Sequence, residues 1–189
     1  DPALPQQPVG QTAVLATAKH YAGYSETQGG RDASEADISR RKLRSYFLPP
    51  FERAARAGAM MFMTGYQSMD GVPSTANRWL LTDVLKVRLG FDGFVVGDWN
   101  GHGEVAGCTN ENCAAALVAG VDMYMAPDSW RALYANTLSQ VRSGEIPMAR
   151  LDDAVARILR VKMRMDLFEA GLPSKRSVGG HMEQLGTDA

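Results

Sequence analysis

Short apolar runs alternate along the chain with longer segments whose apolar residues recur at helical spacing, and each run stops at a polar or aromatic residue. The runs at residues 14–18 (VLATA), 59–64 (AMMFMT), 94–97 (FVVG) and 121–127 (VDMYMAP) are too short for buried helices and carry no polar face. This predicts strands apolar on both sides, the habit of parallel sheets. Between them, residues 39–58 read as a helix that starts at Ser39, is interrupted by Pro49 and Pro50 and stops at Gly58. Further helices are predicted over residues 77–90, from 110 or 112 to 120, over 129–143, and from 147 or 148 through LDDAVARILRVKMRMDLF, the last apolar on one face and basic on the other.

Four strand-then-helix units in succession describe an α/β chain with a parallel sheet and right-handed crossovers. Neither GxGxxG nor GxxxxGK[ST] follows the first strand, so the phosphate-cradling loops of nucleotide-binding open sheets are missing and a TIM-type (β/α)8 barrel is favoured. A complete barrel takes about 250 residues. With 189 residues and four units, the chain reads as about half of one, with a partial barrel domain over residues 1–170 and a linker over 171–189.

Charge and composition narrow the partners. The formal net charge is −1, and no basic stripe is interleaved with aromatics, so the footprint of a nucleic-acid binder is absent. No apolar stretch is long enough to span a bilayer, and the first residues, DPALPQQPVGQT, lack the basic start and apolar centre of a signal peptide. Cys108 and Cys113 are spaced too widely for a redox CxxC, and with His102 they fall short of a zinc ligand set, so no metal or cofactor is expected. The same pair suits a short-loop disulfide in an exported protein and, equally, two free thiols.

The carboxyl ends of parallel strands are where such folds build their sites, which singles out Asp98 in GFVVGDWNGHG. Such an acid can also simply cap a helix or tie its own loop. Trp99 beside it offers a face on which a sugar ring can stack, and Gly97, Gly101 and Gly103 allow close backbone approach. Lys19 and His20 end the first strand; on a regular strand they would point to opposite faces, so one pocket could hold both only if the backbone is locally distorted. Tyr66 follows the second strand. Asp122 lies at the start of the last strand, at the wrong end, and reads as structural. Glu26, Asp32, Asp70 and Glu104 lie in loops and cannot be ranked by spacing, and Met60, Met61, Met63, Met123 and Met125 read as core filling.

The ordered set ATAKHYAGY, LPPFERAARAGA, FMTGYQSMDGVPS, LLTDVLKVRLGFDGFVVGDW and AGVDMYMAP resembles, over nearly the whole chain, the amino-terminal barrel domain of glycoside hydrolase family 3, the β-glucosidase and exo-β-glucanase family. The resemblance implies that Asp98 is the nucleophile, in a motif usually reading SDW that here carries Gly97. It implies that Lys19 and His20 hold sugar hydroxyls in a distorted backbone, with Tyr66 beside the nucleophile and Trp99 lining the sugar site. Arg31 is a further substrate-binding candidate in a loop that varies between subgroups. The β-N-acetylhexosaminidase subgroup, with its KHxPG loop, is disfavoured by KHYAGYSETQGGRD.

The implied activity is retaining hydrolysis of terminal β-D-glucosyl residues of β-glucosides or β-glucans, with β-xylosidase specificity as a variant. The implied partners are a β-glucoside or β-glucan oligosaccharide, the remaining barrel half before residue 1, and an α/β sandwich domain after residue 189 that supplies the acid/base glutamate. Periplasmic or secreted location is expected, and 189 residues alone should turn over glycosides barely or not at all. Two other classes compete: a non-catalytic carbohydrate-binding or scaffold half barrel, and a Schiff-base lyase built on Lys19.

Overall fold

A computed structural model describes residues 13–176, 179–184 and 186. The leader question raised by the first residues, and part of the linker reading, concern residues outside this set. Four parallel strands, β1 (Thr17–Tyr21), β2 (Met61–Thr64), β5 (Phe94–Trp99) and β6 (Met123–Met125), form one sheet in the order β1-β2-β5-β6. Strand neighbours follow chain order, as in a β/α barrel, and a small antiparallel hairpin of β3 (Ser68–Met69) and β4 (Val72–Pro73) projects beyond β2. Its turn is Asp70-Gly71, both with positive φ (52° and 76°), the conformation that Asp-Gly turns favour. Sequence pattern marked this stretch only as a turn.

The strands are apolar on both faces because each face has its own partner. Tyr21, Phe62, Val95 and Val121 point into the main core, formed with the helical layer through Leu43, Leu48, Leu80, Leu81, Val84 and Leu85. There the aromatic rings interlock, Tyr21 edge-on to Phe51 at 5.0 Å and Phe62 against Phe91 at 4.6 Å, geometries that add about 0.5–1.5 kcal/mol per pair beyond burial. On the opposite face Phe94 and Val96 pack with Met61, Met63, Met123 and Met125, and Val161, Ile158 and Met165 cover part of that surface. The strand methionines are core filling.

The helices match the amphipathic segments with local differences. Ser39 caps α1 (Arg40–Lys42), its hydroxyl accepting the Lys42 N–H at 3.2 Å. The expected proline break appears as a π turn (Leu43–Phe47) that leads into α2 (Leu48–Arg56), where the prolines sit in the first turn and need no N–H. A π helix (Trp79–Arg88) precedes β5; α3 (Ala114–Ala119) precedes β6, and α4 (Trp130–Ser143) and α5 (Met148–Arg164) follow it. The first strand lies later than the pattern predicts, running through Lys19 and His20 to Tyr21, because Thr17, Ala18 and Tyr21 pair with Met61, Phe62 and Thr64.

The amino ends of the strands are fastened by charge. Asp122, its carboxylate fully buried, accepts the Val95 N–H at 2.8 Å and pairs with Lys86 at 2.6 Å and with Arg150. Burial pushes the Lys86 ammonium down to about 8 against the pull of Asp122. The basic face of α5 is spent on the same end: Arg157 donates to the Phe91 and Gly93 carbonyls (2.8 and 2.9 Å), and Arg164 pairs with Asp92 at 2.8 Å.

Candidate active site

At the other end of the sheet, β5 carries Asp98 as its penultimate residue and β1 carries His20. His20 Nε2 lies 3.4 Å from Asp98 Oδ2, the two side chains only 22% and 14% exposed. Asp98 Oδ1 accepts the Trp99 N–H at 2.8 Å, so its two oxygens face different partners. The Lys19–His20 and Tyr21–Ala22 peptides are cis, and the ladder register shifts between Ala18 and Tyr21. Lys19 itself is exposed and makes no ion pair among the described residues.

Tyr66, just past β2, lies between these strands. Its hydroxyl donates to the Trp99 carbonyl at 2.5 Å. Burial, the charges of Asp98 and Asp32, hydrogen bonding to Asp98 and the charge of Glu104 together hold the phenol above its ordinary value, so it stays protonated through neutral pH. Trp99 is 62% exposed, leaving its ring uncovered. Arg31 is also exposed; its carbonyl accepts the Ser34 hydroxyl at 2.9 Å, and no ion pair brings its guanidinium to Asp98 among the described residues.

A brace of buried polar groups that sequence pattern did not reveal sets this geometry. Ser74 donates to the Gly65 carbonyl at 2.6 Å and accepts the Gly65 N–H at 3.3 Å, and Thr64 bonds Thr75 at 3.1 Å. Gln67 Nε2 donates to the Ala22 carbonyl at 3.1 Å, tying the exit of β2 to that of β1. A Cβ on Gly65 would lie 2.2 Å from Gln67 Oε1 and 3.0 Å from His20 Cβ, so a side chain there would displace the Gln67 amide from its place. The available signal was a cluster of Ser, Thr and Gln directly after a strand.

Past Asp98 the turn Gly101–Glu104 buries His102, whose Nε2–H donates to the Asn110 carbonyl at 2.9 Å, and Ser129 donates to the same oxygen at 2.8 Å. Asn110 lies within the loop closed by a disulfide between Cys108 and Cys113, Cα atoms 4.8 Å apart. Of the two cysteine readings, the structure takes the disulfide. Two more residues approach from the loop after β1: Tyr24, its ring 4.6 Å from that of His20, and Asp32, whose charge acts on both Tyr24 and Tyr66. No group of three His, Cys, Asp or Glu among the described residues could hold a metal.

A parallel β/α sheet with a carboxylate, an imidazole, a phenol and an open indole at the carboxyl ends of its strands is the arrangement of part of a TIM-type barrel. Residues 6–161 match the family model described as the glycosyl hydrolase family 3 N terminal domain, and the chain belongs to that family. It is 37% identical over 93% of its length to a β-xylosidase of Formosa agariphila, covering 25% of that protein, and 36% identical over 86% to a periplasmic β-glucosidase of Salmonella typhimurium, covering 22%. It superposes on the exo-1,3/1,4-β-glucanase of a Pseudoalteromonas species with a TM-score of 0.86 and 42% identity, over 88% of this chain and 27% of that one. A β-glucosidase of Listeria innocua, solved as a D270A mutant with laminaribiose, matches with a TM-score of 0.80 and 28% identity, over 94% of this chain and 25% of that one. The chain thus spans about a quarter of the length of its relatives.

Proposed function

We propose that this chain is part of a retaining, exo-acting β-glycosidase that removes terminal β-D-glucosyl residues from β-glucosides or β-glucans, with Asp98 as nucleophile. The observation that carries it is the Asp98 carboxylate at a strand's carboxyl end, one oxygen held by the Trp99 amide and the other facing His20 at 3.4 Å. Asp98 Oδ2 attacks the anomeric carbon as the glycosidic C–O bond breaks and the protonated aglycone leaves; water then attacks the same carbon, breaking the glycosyl-Asp98 ester and freeing the sugar and the carboxylate. Lys19 and His20 hold ring hydroxyls, the Trp99 face packs on the sugar, and Arg31 contributes from the loop after β1. Tyr66, kept protonated, fixes the Trp99 backbone beside the attacking oxygen.

The acid that protonates the leaving oxygen belongs about 5 Å from the nucleophile in a retaining enzyme. We assign it to a glutamate outside this chain, in an α/β sandwich domain reached through residues 171–189. The half-exposed methionine face of the sheet is where the remaining barrel strands would pack. Export to the periplasm or beyond agrees with the disulfide and with the periplasmic β-glucosidase relative. Xylose is the second substrate to test, since a β-xylosidase is 37% identical.

The test is a 2-deoxy-2-fluoro-β-glucoside with a good leaving group, applied to the complete enzyme and followed by peptide mass spectrometry. A covalent label on Asp98, abolished in Asp98→Asn, is expected; a label elsewhere overturns the assignment. Sugar binding that survives Asp98→Asn, with turnover in neither form, would point to a non-catalytic binding module. A borohydride-trapped adduct on Lys19 would point to Schiff-base chemistry.

A further inference from the structure

Tyr24 and Asp32 have no part in the assignment above, yet the loop that carries them is built to bring both back over the mouth. Gly23 makes this possible: its φ is 91°, and a Cβ there would lie 2.8 Å from Ile38 Cδ1, so only glycine turns the chain so tightly after β1. The chain then folds back through the turn Tyr24–Glu26, and the Tyr24 ring settles 4.6 Å from the His20 ring, tilted by 43°. The far side of the loop is pinned. Glu26 pairs with Lys42 at 2.7 Å, Gln28 N–H donates to the Glu35 carbonyl at 2.9 Å, and Ala36 N–H donates to the Ser68 carbonyl at 2.8 Å. The Ser34 N–H closes a tight turn onto the Asp32 carbonyl at 2.8 Å.

An imidazole that must hold one nitrogen toward a carboxylate can still rotate about its Cβ–Cγ bond unless its ring is packed. Among the described residues, the 3.4 Å approach to Asp98 and the ring contact with Tyr24 are the polar and aromatic contacts that orient His20. We infer that Tyr24 is a positioning residue that holds the His20 imidazole in register with Asp98. Hydrogen bonding to Asp32, with smaller contributions from its charge, from burial and from Asp98, raises the Tyr24 phenol above its ordinary value, so it stays protonated at neutral pH.

The chemistry served is that of the glycosidase assignment, and the test separates the two. In the complete enzyme, Tyr24→Ala should lower kcat/KM on an aryl β-glucoside about tenfold, Tyr24→Phe less than threefold, and in a His20→Ala background Tyr24→Ala should cost less than twofold. A tenfold loss in both backgrounds means that Tyr24 acts without His20 and overturns the inference. If Tyr24→Ala lowers the melting temperature, Tyr24→Leu fills the loop and reads the same cycle. Independently of turnover, the Cε1 proton of His20 should move in the NMR spectrum of Tyr24→Ala and hold its place in Tyr24→Phe; an unmoved resonance overturns the inference even in an active enzyme. Full activity in Asp98→Asn would sink the nucleophile assignment while leaving that resonance test standing.

Discussion

His20 and Asp98 meet at 3.4 Å although they leave strands that are not neighbours: β1 and β5 flank β2, and the two side chains close over its end. Tyr66 and Gly65, which follow β2 directly, fill the space beneath that bridge. The mouth is therefore a three-strand construction in which the middle strand sets the separation of the outer two.

Tyr66 occupies that middle position, with its hydroxyl on the Trp99 carbonyl. Tyr66→Phe should lower kcat on a β-glucoside by about 10-fold to 100-fold, the range for losing one oriented hydrogen-bonding group, and leave the melting temperature within a few degrees. Burial and the neighbouring carboxylates raise the phenol's pKa, so the protonated form persists as pH rises through 10. The wild-type alkaline limb should accordingly hold no step at the ordinary tyrosine value, and Tyr66→Phe should leave that limb unmoved; a limb that disappears in the variant would show that the phenol titrates there.

Two glycines beside the site should respond in opposite ways. Gly65→Ala drives a Cβ into Gln67 and His20, so it should lower both stability and kcat/KM. Gly97→Ser should be tolerated, because a Cβ there meets nothing closer than the Met123 carbonyl and the Met125 nitrogen, each 3.9 Å away. Thermal melts of the two variants, run side by side, check the contrast.

Asp122 neutralises Lys86 and Arg150 in a buried setting and accepts the Val95 N–H. Asp122→Ala leaves those cations and that donor without their partner and should cost about 3–5 kcal/mol in urea unfolding. A loss below about 1 kcal/mol would mean that water enters and takes over the pairing.

Replacing both Cys108 and Cys113 by serine opens a loop of short span. The chain-entropy estimate for so short a closure is about 2 kcal/mol, which corresponds to a fall of roughly 4–8 °C in melting temperature for a domain of this size. Because Asn110 in that loop holds His102, three residues past Trp99, kcat/KM should fall along with stability. An unchanged melt would show that the bonds of His102 and Ser129 to Asn110 suffice.

Much of this was legible in the chain because the code for a parallel strand is local. An apolar run ended by Asp98-Trp99, or by Tyr66 after Gly65, states both the element and which residues reach its carboxyl end. The registration of β1 was not local: pairing with Met61, Phe62 and Thr64 carries the strand past the apolar run to Tyr21. Asp122 was legible as structural from its place at the start of β6. Tyr24, Asp32, Ser74 and Gln67 were not, since their partners come from loops folding back across the mouth. Asp32 looked the same in the sequence as Glu26, which pairs with Lys42.

The arginines of α5 grip backbone carbonyls before β5, far along the strand from Asp98. Main-chain oxygens are common to every sequence, so this grip does not depend on which side chains line the opening. Loops around the mouth can therefore diverge while the footing of the sheet stays as it is.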